Sequence, residues 1–157
     1  MDDITRRTLF LAGGAGAGAL AAASLGAPAA AAELTPGEAA NRKLVEDFCG
    51  TWGASDFDPD KVAAAYFAPD ASVRMLDTMP FVVGPAAIAA TFKPFLQHGE
   101  RFAVKFLSVF ARGPLVVTHR IDTQVARGQA DKTMEVVGVF LVRGGRIKEW
   151  TDYLIAG

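Results

Sequence analysis

The stretch Val116-Val117-Thr118-His119-Arg120-Ile121-Asp122-Thr123-Gln124 decides how this chain is read. Apolar residues at 115, 117, 121 and 125 alternate with 118, 120, 122 and 124, the period of a β-strand. Side chains two apart on a strand share a face. Thr118, Arg120, Asp122 and Gln124 therefore point off one side of the sheet, and Leu115, Val117, His119 and Ile121 off the other. A second stretch, residues 146–154, places Asp152 beside Trp150 and Leu154 on one face by the same rule. If the two strands share a sheet, two carboxylates and one guanidinium can meet in a pocket.

Working outward from that centre, residues 101–111 read as a long strand ended by Arg112-Gly113-Pro114. Residues 115–126 follow, with a turn at Arg127-Gly128-Gln129-Ala130-Asp131. Residues 132–142 make the next strand, Gly144-Gly145 its turn, and 146–154 the last. Short turns between successive strands predict an antiparallel meander.

Upstream the grammar is helical. Thr35-Pro36-Gly37-Glu38 is a capping box with proline at the first helical position. Leu44, Val45, Phe48, Cys49 and Trp52 recur on one helical face, and Gly50 and Gly53 mark its end. Asp58-Pro59 opens a second, shorter helix with Val62, Ala63, Tyr66 and Phe67 inward, closed by a turn at Pro69-Asp70. Asp56-Phe57-Asp58-Pro59-Asp60 resembles a calcium loop only on its surface. It lacks the required glycine, and Phe67 stands where the bidentate glutamate belongs, so it reads as capping chemistry. Residues 71–75 form a short strand and 76–83 an irregular apolar connection. Gly84-Pro85 opens a third helix with Ile88, Phe92, Phe95 and Leu96 inward, shortened or kinked by Pro94. Three helices followed by a curled sheet make an α+β domain, with the helices on the concave face of a half-closed cone and a pocket between the layers.

The chain has 157 residues, which suggests one domain. Arg6-Arg7 with Leu9 and Phe10, then an Ala/Gly-rich apolar run to about Leu25 and small residues up to Ala32, has the layout of a Tat-type signal. Residues 1–32 are expected to be that signal, cleaved after Ala32, and the alternative is an N-terminal membrane anchor. Residues 33–157 are then the exported domain, placed in the periplasm or outside the cell. The glycines at 13, 14, 16 and 18 follow no strand and miss the spacing of a nucleotide loop. The formal net charge of −1 gives no nucleic-acid footprint. No apolar run after the leader is long enough to span a bilayer. Cys49 cannot pair within the chain and reads as a buried apolar residue. His119 points away from Arg120, and His98 lies in the turn Gln97-His98-Gly99. Two histidines so placed make no metal site.

Thr118-His119-Arg120-Ile121-Asp122, then Val137-Gly138-Val139-Phe140, then Gly145-Arg146-Ile147-Lys148-Glu149-Trp150-Thr151-Asp152-Tyr153, resembles the limonene-1,2-epoxide hydrolase family. That family sits among the SnoaL-like proteins, with a cystatin-like, nuclear-transport-factor-2-like α+β cone and a curved mixed or antiparallel sheet. The resemblance covers roughly residues 40–155. It implies epoxide hydrolysis without metal or cofactor. Asp152 corresponds to the general base on a water, Asp122 to the acid that protonates the epoxide oxygen, and Arg120 to the cation between them. Elementary electrostatics agrees, because two close carboxylates in an apolar pocket do not both ionise cheaply. An acid and a base side by side suit push-pull opening of a strained ring.

In that family a Tyr and an Asn on the first short strand help hold the water. Val73 and Met75 stand there, with Asp77 or Thr78 as possible substitutes. Val73, Met75, Asp77, Trp150 and Phe92 are the candidate pocket residues, and a small apolar molecule is the expected substrate. The outer face with Leu115, Val117, His119 and Ile121 is the expected homodimer face. Two other functions fit the same residues: a SnoaL-like cyclase or ketosteroid-isomerase-like proton shuttle, and a non-catalytic exported binder of an apolar small molecule.

Overall fold

The structure, a computed structural model, describes residues 33–96, 101–125, 128 and 130–155. The signal expected over residues 1–32, the turn holding His98 and part of the turn at 127–131 lie outside the described residues. Helix α1 spans Pro36–Thr51 and α2 Pro59–Tyr66. Strand β1 (Phe67–Arg74) and the two-residue β2 (Val82–Val83) precede α3 (Pro85–Phe92) and a 3-10 turn, Lys93–Leu96. Four long strands follow: β3 (Arg101–Arg112), β4 (Leu115–Val125), β5 (Lys132–Arg143) and β6 (Arg146–Leu154).

The helix starts form as their caps dictate. Thr35 accepts from the Glu38 N–H while the Glu38 carboxylate accepts from the Thr35 N–H at 2.9 Å. Glu38 Oε1 also accepts the Gly113 N–H at 2.8 Å, which ties the start of α1 to the β3–β4 turn. Those two backbone donors, Gly113 first, hold the Glu38 carboxyl down to about 2. Asp58 caps α2 through the Asp60 and Lys61 N–H groups. The α-helical part of α3 stops at Phe92, two residues before Pro94, as the missing N–H of proline requires.

The sheet has the order β2-β1-β6-β5-β4-β3. β3 to β6 are the expected antiparallel meander. β1 adds in parallel beside β6, which makes the sheet mixed. Two local expectations are corrected. Pro69-Asp70 is not the turn that ends α2, because the chain passes directly into β1 at Phe67 and takes up the irregularity as a register shift between Phe67 and Ser72. The connection 76–83 is not wholly irregular either, since Val82 and Val83 pair back onto Val73 and Ser72. Gly84 then turns into α3 at φ 83°, and a Cβ there would sit 3.3 Å from the Pro69 carbonyl oxygen.

All three helices lie over one face of the sheet, and the core forms between them. Phe48 of α1 packs edge-on against Phe67 and Trp150, with ring centres 5.1 and 5.3 Å away. Phe140 and Trp150, direct partners across β5 and β6, stack at 5.7 Å. Val45, Phe48, Val73, Ile88, Phe92, Val116, Phe140 and Ile147 are fully buried in this layer. On β4 the buried residues are Val116, Thr118, Arg120 and Asp122. The apolar set of Leu115, Val117 and Ile121 faces outward, as its alternation predicts.

Candidate active site

Strand register delivers the ionisable groups to one place. Reading across the inner face, Thr118 of β4 pairs with Gly138 of β5, which pairs with Asp152 of β6. Arg120 pairs with Val136, and Asp122 with Met134. Gly138 has no side chain, so the Arg120 guanidinium can reach diagonally across β5 to β6. A Cβ at Gly138 would overlap Arg120 Nη1 and stand 2.7 Å from Asp152 Oδ1 and from the Phe140 ring.

The guanidinium joins both carboxylates. Arg120 Nε donates to Asp122 Oδ1 and Oδ2, each at 3.0 Å. Nη1 donates to Asp152 Oδ1 at 3.2 Å and to Thr118 Oγ1 at 2.9 Å. Nη2 donates to Asp152 Oδ2. Trp150 Nε1 donates to Asp152 Oδ1 at 2.6 Å. Thr118, Arg120, Asp122 and Asp152 are all buried. Unsatisfied ions in such a place are costly, so the network is held together by its own complementarity.

Burial, partly offset by Arg120, pushes the Asp152 carboxyl up to about 6. Burial also raises Asp122, again against the pull of Arg120. Burial by itself would lower Arg120, but the charges of Asp152 and Asp122 outweigh it and keep the cation firmly protonated. Desolvation and hydrogen bonding therefore rank the two carboxyls differently. Burial acts more strongly on Asp152, whereas three N–H donors favour the anion there against a single shared Nε at Asp122. Because Oδ1 of Asp152 already accepts two of those donors, a proton on this carboxyl has only Oδ2 to occupy.

These groups form the polar end of a cavity of about 170 Å³. The rest of its wall is apolar: Phe48, Trp52 and Phe95 from the helical layer, Met75, Leu76 and Met79 from the segment after β1, and Phe102, Val104, Met134, Val136 and Leu154 from the sheet. Gln124 lines it two residues beyond Asp122. Cys49 also lines it, and burial pushes its thiol up to about 12, so it stays protonated.

The structure thus brings Arg120, Asp122, Asp152, Trp150 and Met75 together. It does not bring the other expected pocket residues there. Val73 and Phe92 are fully buried in the aromatic core and do not line the cavity. Asp77 is exposed, and its backbone N–H, not its carboxylate, meets the site region by donating to the Asp152 carbonyl oxygen at 2.9 Å. His119 stands on the outer face with Nε2 2.6 Å from Glu135 Oε1. Among the described residues no cluster of His, Cys, Asp and Glu has the makings of a metal site. Gly138 was the functional position that residue reading did not single out, although a glycine inside a strand signals a close approach.

The α+β domain thus carries a buried carboxylate–arginine–carboxylate group in the wall of a largely apolar cavity. The chain belongs to the SnoaL-like domain family, whose pattern matches residues 29–150. No curated protein matches it by sequence. Among solved structures, it is similar to an LEH-like epoxide hydrolase from M. tuberculosis at 25% identity and a TM-score of 0.65, over 76% of this chain and 86% of that one. It is similar to a structure named as a SnoaL-like polyketide cyclase from Jannaschia sp. CCS1 at 20% identity and a TM-score of 0.65, over 78% and 90%. It is also similar to a protein of ketosteroid isomerase-like fold from Catenulispora acidiphila DSM 44928, in complex with trimethylamine, at 16% identity and a TM-score of 0.62, over 71% and 84%. The last two likenesses speak for the fold alone.

Proposed function

We propose that this protein hydrolyses a small apolar epoxide to a diol by acid–base catalysis. The observation that carries the reading is Arg120 bridging Asp122 and Asp152 at the polar end of an otherwise apolar cavity. The likeness to the LEH-like epoxide hydrolase supports it.

On this reading the base atom is Oδ2 of Asp152. Oδ1 accepts both Arg120 Nη1 and Trp150 Nε1, which fills it, whereas Oδ2 accepts only Arg120 Nη2. A water bound at Oδ2 is deprotonated as its oxygen attacks a ring carbon. The carbon–oxygen bond of the epoxide breaks at the same time, and Asp122 delivers its proton to the departing oxygen. The product is a diol, Asp152 now holds a proton and Asp122 is ionised. Passing one proton from Asp152 to Asp122 restores the start. Each step uses side chains and water alone. The apolar wall removes competing solvent and strengthens the charges that act on the ring.

A second reading has its own support. Val73 sits in the core and Met75 presents a thioether, so among the described side chains Asp152 has Arg120 and Trp150 as its polar partners and no hydroxyl or amide dedicated to a water. A carboxylate raised to about 6 in an apolar pocket also suits proton transfer on a carbon acid, as in a cyclase or isomerase.

Diol formation by the purified protein on a panel of terpene, aryl and steroid-like epoxides tests the first reading, with Asp152→Asn in parallel. Diol lost in a folded Asp152→Asn protein supports it. No diol from any epoxide, with proton exchange on a cyclic ketone that depends on Asp152, replaces it with the second. On the same footing we place the working enzyme outside the cytoplasm, from the twin-arginine leader, and as a homodimer through the outer sheet face.

A further inference from the structure

Resting on the epoxide reading, we infer that the cavity opens between Met79 and Leu154, and that the substrate is an apolar chain with an epoxide at or near one end, its tail leaving through that opening. Among the described residues that line the cavity, Met79 and Leu154 are the exposed ones, at 40% and 48%, whereas the others are buried or half-buried. A side chain that both lines a cavity and meets solvent stands at its rim. The backbone brings these two together. β1 runs parallel to β6 with Arg74 beside Thr151, and the chain after it stays alongside, where the Asp77 N–H donates to the Asp152 carbonyl oxygen at 2.9 Å. Met79 and Leu154 each follow that hydrogen bond by two residues. The Met79 N–H donates to the Leu76 carbonyl oxygen at 2.9 Å, which closes the turn that carries Leu76 and Met79 to the cavity.

The rim lies close to the chemistry. Leu154 follows Asp152 on the inner face of β6, and alternate residues of a strand lie roughly 7 Å apart. An epoxide held between Asp122 and Asp152 is therefore about one such step below the opening. The cavity itself is small, about 170 Å³, where roughly 150 Å³ holds a single benzene ring. An apolar substrate much larger than that does not fit wholly inside. It finds its next apolar surface at the rim, because Met79 and Leu154 carry thioether and hydrocarbon, not charge, from the cavity wall out to solvent. Single exposed apolar side chains are ordinary on a protein surface, but a pair that continues an apolar cavity wall outward extends a binding groove. Met79 is also unbranched and polarisable, so it can swing aside and repack against a chain of variable shape. A compact substrate would leave this apolar rim in water, whereas a long one covers it.

The test uses the full chain and terminal epoxides of two lengths, epoxyhexane and epoxydodecane, the longer one also with a short polyether cap at its far end. The wild type is expected to favour epoxydodecane over epoxyhexane by about tenfold in kcat/KM, mainly through KM, as its added methylenes cover the rim. The cap should cost less than about threefold, because that end of the chain lies in water. Met79→Asn and Leu154→Asn should each lower the chain-length ratio by about threefold. A wild-type ratio near one, a larger cost of the cap, or a ratio unmoved in both variants overturns the inference. Binding of hexanol, dodecanol and dodecanol with the same cap at its far end measures the preference without turnover. It is read by the fluorescence of Trp52 and Trp150, the two tryptophans of the chain and both in the cavity wall. A length preference there that tolerates the cap, with no diol from any epoxide, means that the hydrolase reading fails while the opening stands. No length preference in binding, or one abolished by the cap, refutes the opening independently of the chemistry.

Discussion

Gly138 and Asp152 are direct partners across β5 and β6, and the absent side chain of the one is what lets Arg120 reach the other. The catalytic geometry proposed here therefore depends on a residue that has no functional group. Gly138→Ala places a methyl group against Arg120 Nη1, Asp152 Oδ1 and the Phe140 ring. We expect it to destabilise the domain by about 1–3 kcal/mol, as overpacking does, and to abolish turnover. Urea unfolding and diol formation measured on one preparation check both. A fully active, equally stable Gly138→Ala protein would refute the role of the gap.

The elevated Asp152 carboxyl makes two pH statements of opposite kind. For activity, the base form grows in above about 6, so kcat/KM should rise with pH through that value. For stability, the folded state holds this proton at a pH where the unfolded chain, with an ordinary carboxyl near 3.8, has released it. Its contribution is thus fullest below about 4 and declines as pH rises to about 6. Asp122, raised in the same direction, adds to the decline. Urea midpoints between pH 4 and 7 should fall less steeply in Asp152→Asn than in the wild type. Identical slopes in the two proteins would contradict the shift.

In the proposed reaction Trp150 would act through Asp152. Trp150→Phe keeps an aromatic ring stacked on Phe140 and removes the N–H that meets Oδ1 at 2.6 Å. One donor fewer disfavours the carboxylate. The pH midpoint of kcat/KM should move above about 6, with turnover at neutral pH falling about tenfold. A lower rate with an unmoved midpoint would assign the residue to packing alone.

Thr118 is the silent member of the group. Its hydroxyl accepts Arg120 Nη1 at 2.9 Å and is fully buried. Thr118→Val conserves shape and leaves a buried N–H unpaired, which should cost about 1–3 kcal/mol. Thermal unfolding at pH 7 checks it. A neutral effect would mean that the guanidinium finds another acceptor.

The outer sheet face gives the prediction on assembly. Phe110 is 57% exposed and Leu107 47%, beside half-buried Val117 and Ile121 on the neighbouring strand. If two copies meet here, Phe110→Glu should convert a dimer to a monomer in sedimentation, with the Arg120 group undisturbed on the opposite face. A monomeric wild type would sink this proposal without touching the site.

Residue by residue, the sequence was most explicit where local rules govern. Thr35-Pro36-Gly37-Glu38 and Asp58-Pro59 announced two helix starts, and Pro94 ended a third, because caps and proline act within one turn. Alternation over 115–125 set Thr118, Arg120, Asp122 and Gln124 on one face, because the period of a strand is a covalent fact. Val73 and Phe92 misled for the converse reason. An apolar residue in a pocket wall and one in the core look the same until helix and sheet are packed, and both went to the core.

What the sequence by itself determined, then, was most of the elements, the sheet face shared by Arg120 and Asp122 and that of Asp152, and the resemblance that implies their roles. Only the tertiary structure decided distances across strands. It set Gly138 between Thr118 and Asp152, closed the guanidinium onto both carboxylates, and turned Asp77 outward so that its backbone alone meets the Asp152 strand. Strand pairing joins residues tens of positions apart, and that register is fixed by packing rather than by any local signal.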